Sequence, residues 1–269
     1  MFIGGFSLSG ALRTVARLER KGIGSILDYA KEGSQTLQDV KQYVAEVKRW
    51  GDKPLTNAYT ALKLSSFLYG DEWKPKVARD ELYDLLSHIR GRPIMFDAET
   101  PFLKPLEDHI FRGICVDFPD ITIYKTIQAY RLDSVYDVHQ AINNGLSVKL
   151  VRGAYWKQDD PVFFQSKLQT DFNYNKLARM LITLGHAPVC IATHNVTSVE
   201  MVKEMLADSS NHRVIFAQLL GMGDKLSKRL VREGYPVYKY VPYGSVTEMT
   251  PYLGRRLIEN LPILTHVIG

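Results

Sequence analysis

The chain has 269 residues, with 34 Lys and Arg against 29 Asp and Glu, 45% hydrophobic residues and 23% charged residues. This balance excludes a disordered, collagen-like or disulfide-dense chain, and the net charge of +5 is spread too thinly, with no concentrated basic run, to point to nucleic-acid binding. Cys115 and Cys190 lie outside any Cys-x-x-Cys or Cys/His cluster, so neither a disulfide scaffold nor a structural zinc site is expected, and a reducing, intracellular compartment fits.

In chain order, residues 1–18 (MFIGGFSLSGALRTVARL) carry Arg13 and Arg17 and no acid, weakly like an organelle transit peptide. Their apolar block breaks too early for a secretory signal, and the first helix of the fold is expected here. No run approaches the roughly 18 apolar residues of a membrane-spanning helix. Short β-rich runs then follow at Gly24–Ala30, Ala58–Leu64, Arg92–Ala98, Ile121–Ala129, Leu146–Val151, Pro188–His194, Arg213–Leu220 and Pro236–Val241. The gaps hold charged, helix-like patterns such as DVKQYVAEVKRWG and FNYNKLARMLITLG, several ending at Gly51, Gly91, Gly145 or Gly185, where left-handed caps are expected. Eight strand-then-helix units predict an α/β fold, a (β/α)8 TIM-type barrel forming one domain over residues 1–269, with a last helix at Val246–Asn260. The rival, a doubly wound open sheet, lacks its Gly-x-Gly-x-x-Gly after the first strand. Tyr155–Thr170 is the longest break in the pattern, a candidate loop over a site.

Barrel active sites sit at the C-terminal strand ends. All eight predicted ends are polar: Asp28, Lys63, Asp97, Gln128, Lys149 with Arg152, His194, Gln218 and Tyr240. Unpaired charge in a dry core is costly, so the joint placement points to a ligand site rather than to eight separate structural residues. Lys63, Lys149, Arg152, Arg255 and Arg256 outnumber Asp28 and Asp97, which predicts an anionic ligand. Tyr252, Arg255, Arg256 and Glu259 share adjoining faces of the last helix, and paired guanidinium groups suit a small carboxylate. His194, in ATHN, reads as a hydrogen-bonding residue rather than a metal ligand, and no metal site is expected. No Walker loop, nucleophile elbow or His-Glu-x-x-His motif occurs.

VKLVRGAYW (Val148–Trp156) and YVPYGSVTEMTPYLGRRLIEN (Tyr240–Asn260) resemble the two signature regions of proline dehydrogenases, FAD-dependent enzymes of proline catabolism. LDYAKEG, ALKLSS, FDAE, TIQAY, KLQTD, ATHN and AQLLGMG are similar to further family segments in the same order. The resemblance implies a distorted (β/α)8 barrel that oxidises L-proline to Δ1-pyrroline-5-carboxylate by hydride transfer to flavin N5. By position, Lys63, Arg255 and Arg256 would hold the proline carboxylate, Asp97 would lie beside Lys63 and orient that site, and Tyr240 and Tyr252 would pack on the pyrrolidine ring. Gln128, Lys149, Arg152, Gly153, Ala154, Thr170, Thr193, His194 and Gln218 would contact FAD. Glu32 matches a gate residue that pairs with Arg255.

Lys149 departs from the Arg often found near N5 in bacterial members; it keeps the charge and loses the guanidinium fork. The resemblance implies Asp97 and Lys149 as the catalytic residues, Lys149 stabilising negative charge on the reduced flavin. The family also implies a quinone as electron acceptor, with peripheral membrane contact, although no clear amphipathic anchor is legible. The next enzyme, pyrroline-5-carboxylate dehydrogenase, would be a separate protein. The compartment reads as bacterial cytoplasm at a membrane surface or mitochondrion, not secreted. A hydroxyproline dehydrogenase, a flavin-free Schiff-base barrel using Lys63 or Lys149, and a catalytically dead binding relative are the alternatives. Tyr240 argues for proline over hydroxyproline, because its ring would crowd the hydroxyl-bearing carbon.

Overall fold

The computed structural model describes residues 2–53, 55–71, 74–154, 160–207, 213–250 and 253–254. Each of the eight apolar runs forms a strand: β1 (Gly24–Tyr29), β2 (Ala58–Lys63), β3 (Ile94–Asp97), β4 (Ile123–Gln128), β5 (Ser147–Val151), β6 (Val189–Ala192), β7 (Val214–Leu219) and β8 (Val237–Tyr243). They pair in parallel in chain order, and β8 closes on β1 with Tyr240 in register with Ile26, so the sheet is the expected closed barrel. Closure leaves the barrel itself no open strand edge among the described residues.

Side chains on a strand alternate between faces, and the sequence uses both. Ile26, Ala61, Met95, Tyr124, Cys190, Ile215, Ala217 and Tyr238 point inward and fill the barrel. The alternate residues, Leu27, Leu62, Phe96, Ile127, Leu150, Ile191, Phe216 and Val241, pack outward against the helices. Each fully buried large side chain in that outer layer stabilises the fold by about 1.5–3 kcal/mol.

The helices are α1 (Leu8–Glu19), α2 (Leu37–Gly51), α3 (Arg79–His88), α4 (Lys104–Asp117), α5 (Ser134–Asn143), α6 (Lys167–Thr183), α7 (Val196–Ala207) and α8 (Asp224–Arg232). As expected, α1 precedes the first strand, and it buries Leu8, Ala11, Val15 and Leu18. α6 starts earlier than its apolar pattern suggests, because the Ser166 hydroxyl accepts from the amides of Leu168 and Gln169 and caps it. Thr170 therefore lies in a helical first turn and not in a loop. Of the four predicted left-handed glycines only Gly145 takes positive φ (63°); Gly22 and Gly234 do so after α1 and α8 (69° and 84°). At all three a later amide reaches back five residues: Ile23 to Leu18, Leu146 to Ala141, Tyr235 to Leu230. An unexpected antiparallel ribbon pairs Leu68–Tyr69 with Lys76–Val77 beyond β2. Tyr252, Arg255, Arg256 and Glu259 lie outside the described residues, as does most of the predicted last helix.

Candidate active site

On four strands the inward face ends in a side chain that carries a charge or a hydroxyl. Asp28 follows Ile26, Lys63 follows Ala61, Asp97 follows Met95, and Tyr240 follows Tyr238, each two residues on and on the same face. These ends line a cavity of about 510 Å³, joined by Glu32, Thr126, Gln128, Lys149, Arg152, Gly153, Ala154, Lys167, Thr193, His194 and Gln218. The volume lies within the range of small-molecule sites. Of the described residues singled out from the sequence, Thr170 alone is absent from the lining.

A buried hydrogen-bonded chain crosses the cavity floor. Lys63 Nζ donates to Asp28 Oδ1 at 2.5 Å and to the Tyr240 hydroxyl at 3.4 Å. Tyr240 donates to Asp97 Oδ2 at 2.5 Å, and Lys149 Nζ donates to Asp97 Oδ1. The expectation that Asp97 sits beside Lys63 needs refinement. The two are in register across β2 and β3, but Lys63 lies 3.9 Å from Asp97 and its first partner is Asp28. Asp97 instead bridges Lys149 and Tyr240.

Burial pushes the Asp28 carboxyl above its usual range, beyond what Lys63 offsets. Asp97 feels the same burial, but the Lys149 and Lys63 ammoniums outweigh it and hold the carboxyl low. Burial alone would draw Lys63 down; Asp28 and Asp97 override it and keep the ammonium charged. Burial, with Asp28 and Asp97 adding to it, raises Tyr240 far above an ordinary phenol, so it stays a neutral donor. The predicted positive excess is thus nearly cancelled among the described residues. Lys63 and Lys149 face Asp28 and Asp97, and Arg152 Nε donates to Asp171 Oδ1 at 2.6 Å.

Arg152 is locked on every side. Its guanidinium also donates to Thr193 Oγ1 and, at 3.0 Å, to Ser198 Oγ, and it stacks 4.2 Å over the Tyr174 ring. Gln218 Nε2 donates to the Thr193 carbonyl at 3.4 Å, and His194 Nε2 accepts from the Leu219 amide at 3.3 Å. Gln128 Nε2 donates to the Glu99 carbonyl at 3.3 Å. This wall of fixed donors and acceptors over β4 to β7 suits the polar edge of a planar heteroaromatic ligand. The Thr126 hydroxyl, buried at the cavity, has no hydrogen-bond partner among the described residues. Sequence reading passed over Thr126, although its inward register on β4 between Tyr124 and Gln128 marks it. Lys167 is not legible from the sequence either, because it falls in the predicted Tyr155–Thr170 loop and the structure places it at the start of α6.

Beside Asp97 lies a second cavity of about 30 Å³, lined by Asp97, Ala98, Thr126 and Glu107 among others. Burial, with Glu99 and Asp108 adding to it, pushes the Glu107 carboxyl up to about 8. A carboxyl that binds its proton more tightly when folded loses that advantage as pH rises from its ordinary 4.5 to about 8. Urea melts at pH 5 and pH 9 are therefore expected to show the parent losing stability between them, with Glu107→Gln removing about 2–4 kcal/mol of that loss. An unchanged pH dependence in Glu107→Gln would mean that Glu107 ionises normally.

The family model described as proline dehydrogenase matches residues 11–266. The chain is 36% identical over 201 residues to proline dehydrogenase 1, mitochondrial, of Homo sapiens, an alignment that covers 65% of this chain and 33% of that protein. It is 26% identical over 266 residues to proline dehydrogenase 1 of Bacillus subtilis, covering 96% of this chain and 85% of the relative. The crystal structure of proline utilization A from Bdellovibrio bacteriovorus inactivated by N-propargylglycine superposes with a TM-score of 0.80 at 22% identity, over 96% of this chain and 32% of that one, a likeness of fold. The chain thus spans about a third of the length of the human relative. With the family model matching nearly the whole barrel and the polar strand ends gathered at one mouth, the chain belongs to the proline dehydrogenase family.

Proposed function

We propose that the chain oxidises L-proline to Δ1-pyrroline-5-carboxylate with FAD as its redox group. The observation that carries this reading is the Asp28–Lys63–Tyr240–Asp97–Lys149 chain on the floor of a cavity whose wall is lined with fixed polar groups. The residues fit a flavin: Lys149, Gln128, Arg152, Thr193, His194 and Gln218 surround the cavity, and Thr126 offers a buried hydroxyl with no partner among the described residues. Gly153 and Ala154 bring bare backbone to the same rim. When bound, FAD supplies the acceptor for the hydride leaving the ring carbon beside nitrogen.

The protein's share would be to bind and orient the substrate and to favour release of the amine proton to solvent. Lys63 would bind the proline carboxylate, helped by Arg255 and Arg256. Asp28 and Asp97 hold its ammonium in place. Hydride cannot leave until the ring nitrogen has its lone pair, and positive charge beside the carboxylate lowers the cost of losing the amine proton. Tyr240, fixed between Asp97 and Lys63, would pack against the pyrrolidine ring and set the distance. Tyr252 and the Glu32 gate would complete the enclosure, and a quinone is the acceptor expected downstream. A Schiff-base barrel needs a neutral lysine amine, whereas Lys63 is held as an ammonium and Lys149 is paired with Asp97.

An absorbance spectrum from roughly 300 to 550 nm, before and after anaerobic L-proline, tests the reading. A flavin band that bleaches is the expected result. A band indifferent to proline removes the substrate assignment, and no band after reconstitution with FAD removes the cofactor. For ring selectivity, Tyr240→Ser is expected to move the proline-to-hydroxyproline ratio of kcat/KM about tenfold toward hydroxyproline. An unmoved ratio would separate Tyr240 from ring recognition.

A further inference from the structure

Lys239 is a lysine at a position whose neighbours are apolar. It faces outward on β8 between Val237 and Val241, both in the layer between sheet and helices, and it is 2% exposed. An ammonium there is costly unless its protons are used. Nζ donates to the carbonyls of Met222 and, at 3.4 Å, Leu219, and it lies 3.0 Å from Asp224 Oδ1. All three acceptors come from one stretch: the last residue of β7, the loop after it, and the first residue of α8. Asp224 is 66% exposed, so the ion pair is weak and the two carbonyls are the contacts that explain a buried charge.

Backbone bonds hold that stretch at its ends, from the Leu220 amide to the Tyr240 carbonyl at 3.1 Å and from the Ser227 amide to the Gly223 carbonyl at 2.9 Å, and Lys239 adds a side-chain anchor on the Met222 carbonyl between them. Gly221 and Gly223 both take positive φ, 76° and 61°. The strand end that leads into this loop lines the cavity. Leu219 lines it and donates its amide to His194 Nε2, while the single Ser227 hydroxyl proton is shared between Gln218 Oε1 at 2.8 Å and the Gly223 carbonyl at 3.0 Å. A Cβ on Gly223 would stand 3.1 Å from His194 Nδ1, so the loop backbone runs close beside the His194 ring.

We propose that Lys239 is a positioning residue: by holding the Leu219 and Met222 carbonyls it sets the loop after β7 in the form that receives FAD, an inference that rests on the flavin reading above. Burial draws its ammonium below the usual lysine range, with Asp224 opposing, as expected for a charge kept in place for geometry.

The test compares the parent, Lys239→Met and Asp224→Asn. Two measurements are made on each: FAD affinity, by titrating apoprotein and following flavin fluorescence, and amide exchange in the apoprotein. Lys239→Met keeps the apolar stem, takes the lysine donor from the Met222 carbonyl and leaves the Leu219 carbonyl with the Met222 amide alone, so FAD is expected to bind about tenfold more weakly. The Met222 amide, bonded to the Leu219 carbonyl at 3.2 Å, should exchange faster while Val40 in α2 does not change. Asp224→Asn should bind FAD within about twofold of the parent. Parent-like FAD affinity in Lys239→Met, or exchange rising equally at Val40 and Met222, overturns the proposal and makes Lys239 a residue of general stability. If the parent itself binds no FAD, the flavin reading fails, and unchanged Met222 exchange in Lys239→Met would then also overturn the loop-holding role.

Discussion

Replacing Asp97 by Asn is expected to lower kcat/KM for L-proline by about a hundredfold or more. The carboxylate is the acceptor that joins Lys149 to Tyr240, and it lies 3.9 Å from Lys63. An amide of the same shape keeps one oxygen and turns the other position into a donor, so it must offer N–H to Lys149 or to Tyr240. Both lysines are nearly enclosed, with side chains 7% and 8% exposed. Removing one partner of a buried charge pair costs about 3–5 kcal/mol, and each 1.36 kcal/mol lost from the transition state is tenfold in rate. Part of that cost falls on the fold. Thermal melts should therefore show a lowered Tm, and steady-state kinetics with an artificial acceptor should show the larger loss. Wild-type kcat/KM in Asp97→Asn would mean that the bridge is a structural ion pair with no part in the chemistry.

The same residue marks how far the sequence carries. That Asp97 ends a strand, on the inward face, is legible from RPIMFDA, because a short apolar run bounded by turns has a fixed period of two. All eight strands were readable on that basis. Which group Asp97 touches was not legible, since contacts between β3, β5 and β8 join residues far apart in the chain and depend on barrel register. Asp28 shows this from the other side. It is legible as a strand-end acid, yet its role as the first partner of Lys63 follows only from β1 and β2 lying side by side.

Local chemistry misled in two places. Gly51, Gly91 and Gly185 follow helical patterns, but a C-cap needs an amide placed to reach back, and Gly22, Gly145 and Gly234 meet that condition. Ser166 was read as loop because the apolar period of α6 is weak near its start, with Leu168 and Phe172 exposed. The cap, and not the pattern, begins that helix, and it moves Thr170 out of the cavity and Lys167 to its rim.

Gly153 carries the second large effect. It follows β5 with φ of 131°, a conformation that L residues rarely adopt, and a Cβ built there would fall 2.1 Å from Cδ1 of Tyr130. Tyr130 has nowhere to go: it is 3% exposed, stacks on Phe163 at 4.3 Å, and its amide donates to the Arg152 carbonyl at 2.9 Å. Backbone strain of about 1–3 kcal/mol and overpacking of about 1–3 kcal/mol should combine in Gly153→Ala, against a total stability of about 5–15 kcal/mol for a folded domain. The two causes separate in a double-mutant cycle. Tyr130→Ala removes the ring that the new methyl would strike and leaves φ unchanged, so the double variant should recover about 1 kcal/mol or more relative to the sum of the single losses in urea melts. Strict additivity would assign the whole penalty to φ. FAD titration of the same four proteins then connects strain to the site: Gly153 lies on the cavity rim beside Arg152, so weaker binding in Gly153→Ala that the Tyr130→Ala background restores would tie cofactor affinity to this one close approach of backbone and ring.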